Sequence, residues 1–278
     1  MPYAPPWLSS LPHRDRPAFR AYRQFNALRD HLEFGPDLHS ERSHELSSSR
    51  GFCATKSRLS LDKLSYFDSE KMPDKVAKLL GESRALDTKE VIESFEFFQR
   101  IRHRVSRTVI VDLCCGHGLV GMLFALLERR VTEVYLLDVI FPASSQRIET
   151  ILNDQWPWVS PKIKRLERSV KGADQVLPSG AGVVAVHACG ARTDWAINVA
   201  RSLGGPFAVM PCCYAHQVYQ GPETLKRHLG VNLCVDIQRT MNLEEEGYLV
   251  DWQEIPPEIT PKNRIISASP HPQRDQNT

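Results

Sequence analysis

The chain lacks any apolar run approaching the roughly 18 residues that a membrane-spanning helix needs. Its 278 residues are therefore expected to form a soluble, cytoplasmic protein with no membrane partner and no obligate protein partner. A secretory leader is not expected either: residues 1–10 hold three prolines and no apolar core. Disulfide pairing has little to work with. The seven cysteines are odd in number, and two pairs are adjacent (Cys114-Cys115 and Cys212-Cys213), so reduced thiols are the simpler reading. Charge of one sign is also missing: 35 Lys and Arg against 33 Asp and Glu leave a net +2, which neither demands nor excludes a nucleic-acid partner. Internal repeats are absent, and the one biased segment is a polar tail, 270–278. Metal-ligand spacing is wanting too. His39, Glu41, His44, Glu45 and Cys53 fall in a polar stretch, 37–53, without a recognised pattern, and a solvated loop is expected there.

What is present suits a globular core: 42% hydrophobic and 24% charged residues. Residues 1–14 form a proline-rich arm. From Asp15, the residues Phe19, Tyr22, Phe25, Leu28 and Leu32 recur at helical spacing until Gly35-Pro36 stops them. A basic stretch, 54–61, follows. The pattern then predicts a short helix over 73–80 and a longer one from Asp87, where Glu90 completes a capping box and Phe95, Phe98 and Ile101 supply the apolar face. The basic end of that helix (Arg100, Arg102, His103, Arg104, Arg107) complements the helix dipole, with a phosphate-binding patch as the sharper alternative. Together, 15–104 constitute a helical N-terminal appendage.

From residue 108 strands and helices alternate, the signature of a parallel α/β sheet. Strands are predicted at 108–112, 133–138, 163–166, 182–186 and 207–210. Helices fall between them at 118–130, 144–154 and 194–203, then at 222–229 and 233–246. Two last strands, 248–255 and 264–268, close the domain, which spans 105–269.

The organising stretch runs from Val109 to Gly121: β-branched residues, Asp112, a small-residue turn with Gly116 and Gly118, then an apolar helix. This is the first βα unit of a nucleotide-binding sheet, whose glycines let backbone approach a ligand. Asp138 ends the next strand about 20 residues on, where a ribose-binding carboxylate is expected.

Asp112-x-x-x-Gly116-x-Gly118 followed by Asp138 resembles motif I and the ribose-binding acid of class I S-adenosylmethionine (SAM) methyltransferases. Cys114 stands where a glycine is usual in that family. His187-x-Cys189-Gly190-x-x-Thr193-Asp194 and Cys212-Cys213-Tyr214 resemble one branch of it, which includes tRNA acceptor-stem ribose 2'-O-methyltransferases. The zinc-finger region of those enzymes has no counterpart here, and Ala215 separates Tyr214 from His216.

The resemblance implies a seven-stranded Rossmann-like, mostly parallel sheet with flanking helices and a closing antiparallel pair. It implies SAM as cofactor, held by Asp112, Cys114, Gly116, Gly118, Asp138, Ser169, Val170 and His187. His187 is the candidate base, with Tyr214 and His216 as alternatives, because a ribose hydroxyl needs a proton acceptor. Asp194 is expected to cap its helix. Cys189, Cys212, Cys213 and His216 match no standard zinc spacing and are read as small buried thiols, so no metal is expected. RNA, a tRNA ribose 2'-hydroxyl first, is the implied acceptor. A small molecule, a protein side chain, or a non-catalytic SAM- or RNA-binding role for the same fold are the alternatives.

Overall fold

The structure, a computed structural model, describes residues 70–214, 219–256 and 259–271, with Leu59 and the backbone of two short strands, β1 (Phe34–Pro36) and β2 (Phe52–Ala54). These two pair antiparallel. That ribbon was not expected: Gly35-Pro36 lie within a strand, and Cys53 sits in its partner. The expected arm, the helix from Asp15, the ligand-like residues 39–45, most of the 54–61 stretch, His216 and nearly all of the tail lie outside the described residues.

Two helices precede the sheet, α1 (Met72–Ser83) and α2 (Thr88–Ile101). Asp87 is the N-cap of α2, as its position in the sequence suggests, but its side chain makes no capping hydrogen bond. The main sheet then assembles from β3 (Val109–Leu113), β4 (Glu133–Asp138), β5 (Ile163–Glu167), β6 (Gly182–Val186), β7 (Phe207–Met210), β8 (Tyr248–Glu254) and β9 (Arg264–Pro270). Its order is β5-β4-β3-β6-β7-β9-β8, and β9 runs antiparallel to both neighbours. The chain leaves β3 toward one edge and returns through β6 toward the other. That reversal makes the β3/β6 boundary the switch point, where ligands collect in open α/β sheets.

The helices α3 (Leu119–Leu127) and α4 (Ala143–Gln155) cover one face; α5 (Ala191–Leu203) and α7 (Val231–Glu245) pack against the other, α7 following the short α6 (Glu223–Leu229). Central strand β3 is buried on both faces, so its sequence reads as continuously apolar up to Asp112. Ile110 faces the core under α2 and α3, whereas Val111 and Leu113 face the core under α5.

The sequence of α3 is apolar all round, which a helix tolerates only when every side is covered. The sheet covers one side and α2 the other: Phe98 meets Phe124 edge to face, ring centroids 4.9 Å apart. Burying a phenylalanine of this kind contributes about 2–3 kcal/mol. Helix α2 thus packs directly on the sheet's own helix α3. Gly121 lets α3 seat so closely, since a Cβ there would stand 2.5 Å from Leu136 Cδ2.

The basic end of α2 proves to be internal wiring. Arg100 meets Glu96 at 3.4 Å, Arg102 meets Glu128 at 2.7 Å, and Arg104 meets Asp251 at 2.7 Å. A phosphate-binding patch at 100–107 is set aside for these three arginines, whose charges already face carboxylates. No helix among the described residues is long and apolar enough to cross a membrane.

Candidate functional site

A cavity of about 1120 Å³ opens at the carboxyl ends of β3, β4, β6 and β7, closed on one side by α2. Of the residues expected to bind a cofactor, seven line it: Asp112, Cys114, Gly116, Asp138, Ser169, Val170 and His187. Tyr214 lines it as well. Gly118 does not; it caps the N-terminus of α3 with φ +76° and donates its N–H to the Cys115 carbonyl.

The two acids differ sharply. Asp112 is only 2% exposed, and its Oδ2 accepts the Gly121 N–H at 2.9 Å, pinning helix α3 to strand β3. Burial pushes its carboxyl up to about 7, against the Gly121 hydrogen bond that lowers it, and Asp138 nearby adds to the rise. Asp138 is half-buried. Its Oδ2 accepts the Gly116 N–H at 2.8 Å and its Oδ1 the Val139 N–H at 2.7 Å. Each oxygen keeps a lone pair for a ligand hydroxyl. Beside it, Gly116 adopts φ +53° with nothing within 4 Å of where a Cβ would point.

Cys114 and His187 share this left-handed backbone region, at φ +54° and +58°. The conformation costs a non-glycine residue about 1–2 kcal/mol, which gives a physical reason for glycine at the position of Cys114 in the family it resembles. Burial pushes the Cys114 thiol up to about 12.

His187 extends beyond β6, its N–H donating to the Met210 carbonyl. Its Nε2 lies 2.8 Å from Oε2 of Glu93 on α2, whose side chain is 5% exposed. Glu93 Oε1 has no hydrogen-bond partner among the described residues. Sequence reasoning missed Glu93, because helical spacing assigns it to the polar face of α2. It also missed His117, whose Nδ1 accepts the Leu119 N–H at 3.1 Å. Burial lowers the His117 imidazole to about 4, against the pull of Glu93, and His187 adds to the depression. His117 is therefore neutral at physiological pH, and with Nδ1 accepting, its proton resides on Nε2.

Tyr214 is otherwise engaged. Its hydroxyl donates to Asp236 Oδ2 at 2.8 Å, and burial together with that carboxylate raises its pKa. Asp236 also meets Arg264 at 2.6 Å and Arg239 at 3.0 Å. Arg239 reaches on to Asp194 at 2.8 Å. Helix α5 starts three residues before the expected 194, with Gly190 as N-cap, so Asp194 lies in the first turn and binds an arginine instead of capping. His216 lies outside the described residues.

The thiols expected to be buried are open at the rim: Cys189 and Cys213 are exposed and Cys212 is half-buried. Their sulfurs all lie within 4.8 Å of one another.

In sequence, the chain matches a family model described as a methyltransferase domain. It aligns with residues 87–220, taking in α2, the β3 loop, Asp138, His187 and the paired cysteines. The chain carries a methyltransferase-domain match.

Among solved structures, an rRNA methylase of Streptococcus thermophilus is 15% identical, with 64% of this chain covering 94% of that one at a TM-score of 0.45. A Streptococcus mutans protein in complex with SAH is 14% identical, at 59% and 88% coverage and a TM-score of 0.40. A tRNA methyltransferase of B. subtilis is 12% identical, at 64% and 66% and 0.41. Similarity this distant carries no argument about activity, and the fold rests on the strand order itself. No curated protein matches the chain in sequence.

SAM, the cofactor implied for a methyltransferase domain, fits the residues present. Asp138 has acceptor lone pairs to spare that would suit ribose hydroxyls, the loop at Gly116 is open above its backbone, and Ser169 and Val170 border the same space. The cavity also exceeds the ~300–1,000 Å³ of ordinary small-molecule pockets, leaving room for an acceptor group.

Proposed function

We propose that the chain is a SAM-dependent methyltransferase whose acceptor is a hydroxyl of RNA, a tRNA ribose 2'-hydroxyl being the first candidate. Bound at Asp138, SAM supplies an electrophilic methyl group on a sulfonium. The observation that carries the reading is the His187–Glu93 pair in the same cavity. With Nε2 held by Glu93 at 2.8 Å, the imidazole keeps its proton on that nitrogen and leaves Nδ1 as acceptor. His187 Nδ1 takes the proton that the acceptor hydroxyl gives up on methylation. Glu93 then faces an imidazolium, whose charge it stabilises. Orientation supplies much of the remaining rate, because a group held in line needs no further encounter.

An anionic acceptor is supported by the cavity's cations. Lys89, Arg168, Arg192, Arg227 and Lys262 line it without an ion pair among the described residues. Free cations around a site attract phosphate and steer polyanions toward it. Other cations are spent internally: Lys162 donates to the Ala125 carbonyl, Lys164 pairs with Glu133, and Arg165 with Glu149.

The test is transfer of a labelled methyl group from SAM to total tRNA by the purified chain, with NAD as a binding control. The expected outcome is SAM binding, no NAD binding, and label in RNA that His187→Ala removes. SAM binding with label in a small molecule or protein instead would move the acceptor. Binding without any transfer, and a biological role that survives His187→Ala, would make the chain a non-catalytic module.

A further inference from the structure

We propose that Cys189, Cys212 and Cys213 form a binding site for a thiophilic d¹⁰ metal ion of the Zn²⁺ type at the rim of the cavity. The sequence places one thiol after β6 and two adjacent thiols after β7, in no familiar ligand spacing. Folding removes that objection, because β6 and β7 are neighbouring parallel strands paired through Val186 and Met210. The two loops therefore leave the sheet side by side. A backbone hydrogen bond from the Gly190 N–H to the Cys213 carbonyl holds them together at 3.3 Å.

The resulting triangle of sulfurs has a Cys189–Cys212 edge of 2.8 Å and a Cys212–Cys213 edge of 3.6 Å, and no edge exceeds 4.8 Å. Thiolates bound to one zinc at about 2.3 Å in a tetrahedron stand roughly 3.7 Å apart. Seating an ion requires the first edge to open by about 1 Å, which a small χ1 rotation of an exposed cysteine supplies. Among the described residues these are the three metal-ligating side chains that converge in this way.

Softness selects the ion. Three sulfurs with no carboxylate in the set suit a thiophilic ion and disfavour Mg²⁺ or Ca²⁺, which take oxygen. Each thiol releases its proton to solvent as its metal–sulfur bond forms. Three protein ligands leave one corner of the tetrahedron for a water or another donor. The ion would tie the loop that carries His187, two residues before Cys189, to the loop after β7. The site does not depend on the methyltransferase reading.

The experiment is titration of the full chain, reduced with a phosphine and kept free of oxygen, first with Co²⁺ as a spectroscopic probe and then with Zn²⁺. One Co²⁺ per chain is expected, with sulfur-to-cobalt charge-transfer bands and the visible bands of tetrahedral coordination, all displaced by Zn²⁺. Cys189→Ser and Cys213→Ser are each expected to weaken binding at least a hundredfold, more than the loss of a residue behind a ligand costs. Both positions are exposed, and far-ultraviolet circular dichroism verifies that each variant folds. Cys115→Ser, which alters a cavity thiol outside the triangle, should leave the stoichiometry at one. Failure of the folded chain to take up Co²⁺ stoichiometrically overturns the proposal, as does binding that survives both rim substitutions. SAM titration of the same samples reports on the cofactor separately.

Discussion

Asp112 and Gly121 are joined by one buried hydrogen bond, carboxylate to backbone N–H at 2.9 Å, that fixes the helix after β3 to the strand before it. The bond comes with a cost, because the carboxylate is out of water. Burial raises its pKa from 3.8 to about 7. The folded chain holds a proton there that the unfolded chain releases near pH 4, so this contribution to stability is full below that value. It is lost as pH rises toward 7. Asp112→Asn keeps an acceptor oxygen and cannot ionise. Thermal unfolding of the ligand-free chain should lose less stability in the variant than in the parent between about pH 5 and pH 8, the difference being on the order of 3 kcal/mol. Equal slopes for the two proteins would mean that Asp112 stays ionised.

Asp138 is expected to control cofactor affinity. Asp138→Ala removes the acceptor for ribose hydroxyls and strands the Gly116 and Val139 N–H groups. A charged hydrogen bond contributes about 1.5–3 kcal/mol, so calorimetry should find SAM binding weakened roughly tenfold to hundredfold. Unchanged affinity would place the ribose elsewhere.

His187→Ala is expected to lower kcat by about 10²–10⁴, the usual range for losing a general base. Glu93→Gln should preserve SAM affinity within a few-fold and still slow turnover, since a neutral amide cannot stabilise an imidazolium. Methyl-transfer kinetics of the two proteins, alongside SAM titration, would show it. If Glu93→Gln turns over like the parent, the carboxylate serves folding alone.

Tyr214→Phe should leave kcat within about threefold, because the hydroxyl is bound to Asp236 and directed into the ion cluster. The loss falls on stability, about 1.5–3 kcal/mol for one hydrogen bond to a charged group. Asp236→Ala strips Arg264 of its carboxylate and leaves Arg239 with Asp194 alone, and should cost about 3–5 kcal/mol. Chemical denaturation of the two variants measures both. A large kcat loss in Tyr214→Phe at unchanged stability would return the tyrosine to the catalytic group.

The sheet was legible because its strands and helices differ in period, and each β-strand of the alternating region falls within a few residues of where the sequence puts it. That Asp138 and Gly116 meet at the strand ends, in one cavity, followed from the sequence because the geometry near a strand end is local. Glu93 was not legible. Its helix is polar on that side by pattern, and only the placement of α2 over the switch point turns that side inward. Cys189, Cys212 and Cys213 were grouped from the sequence but expected to be buried, because spacing along the chain does not show how open two loops are once a parallel pairing brings them together. The arginines at 100–107 gave the opposite error, since composition counts cations and cannot show that Glu128 and Asp251 already neutralise two of them.

Helix α2 carries Glu93 into the cavity and at the same time roofs the all-apolar α3. Swinging it aside to admit a ligand would wet Phe98 and Phe124 together. Across the cavity, α6 buries none of its seven residues, and its Arg227 lines the space together with Lys262. Opening the cavity from the α2 side would therefore cost core packing, whereas no residue of α6 is buried.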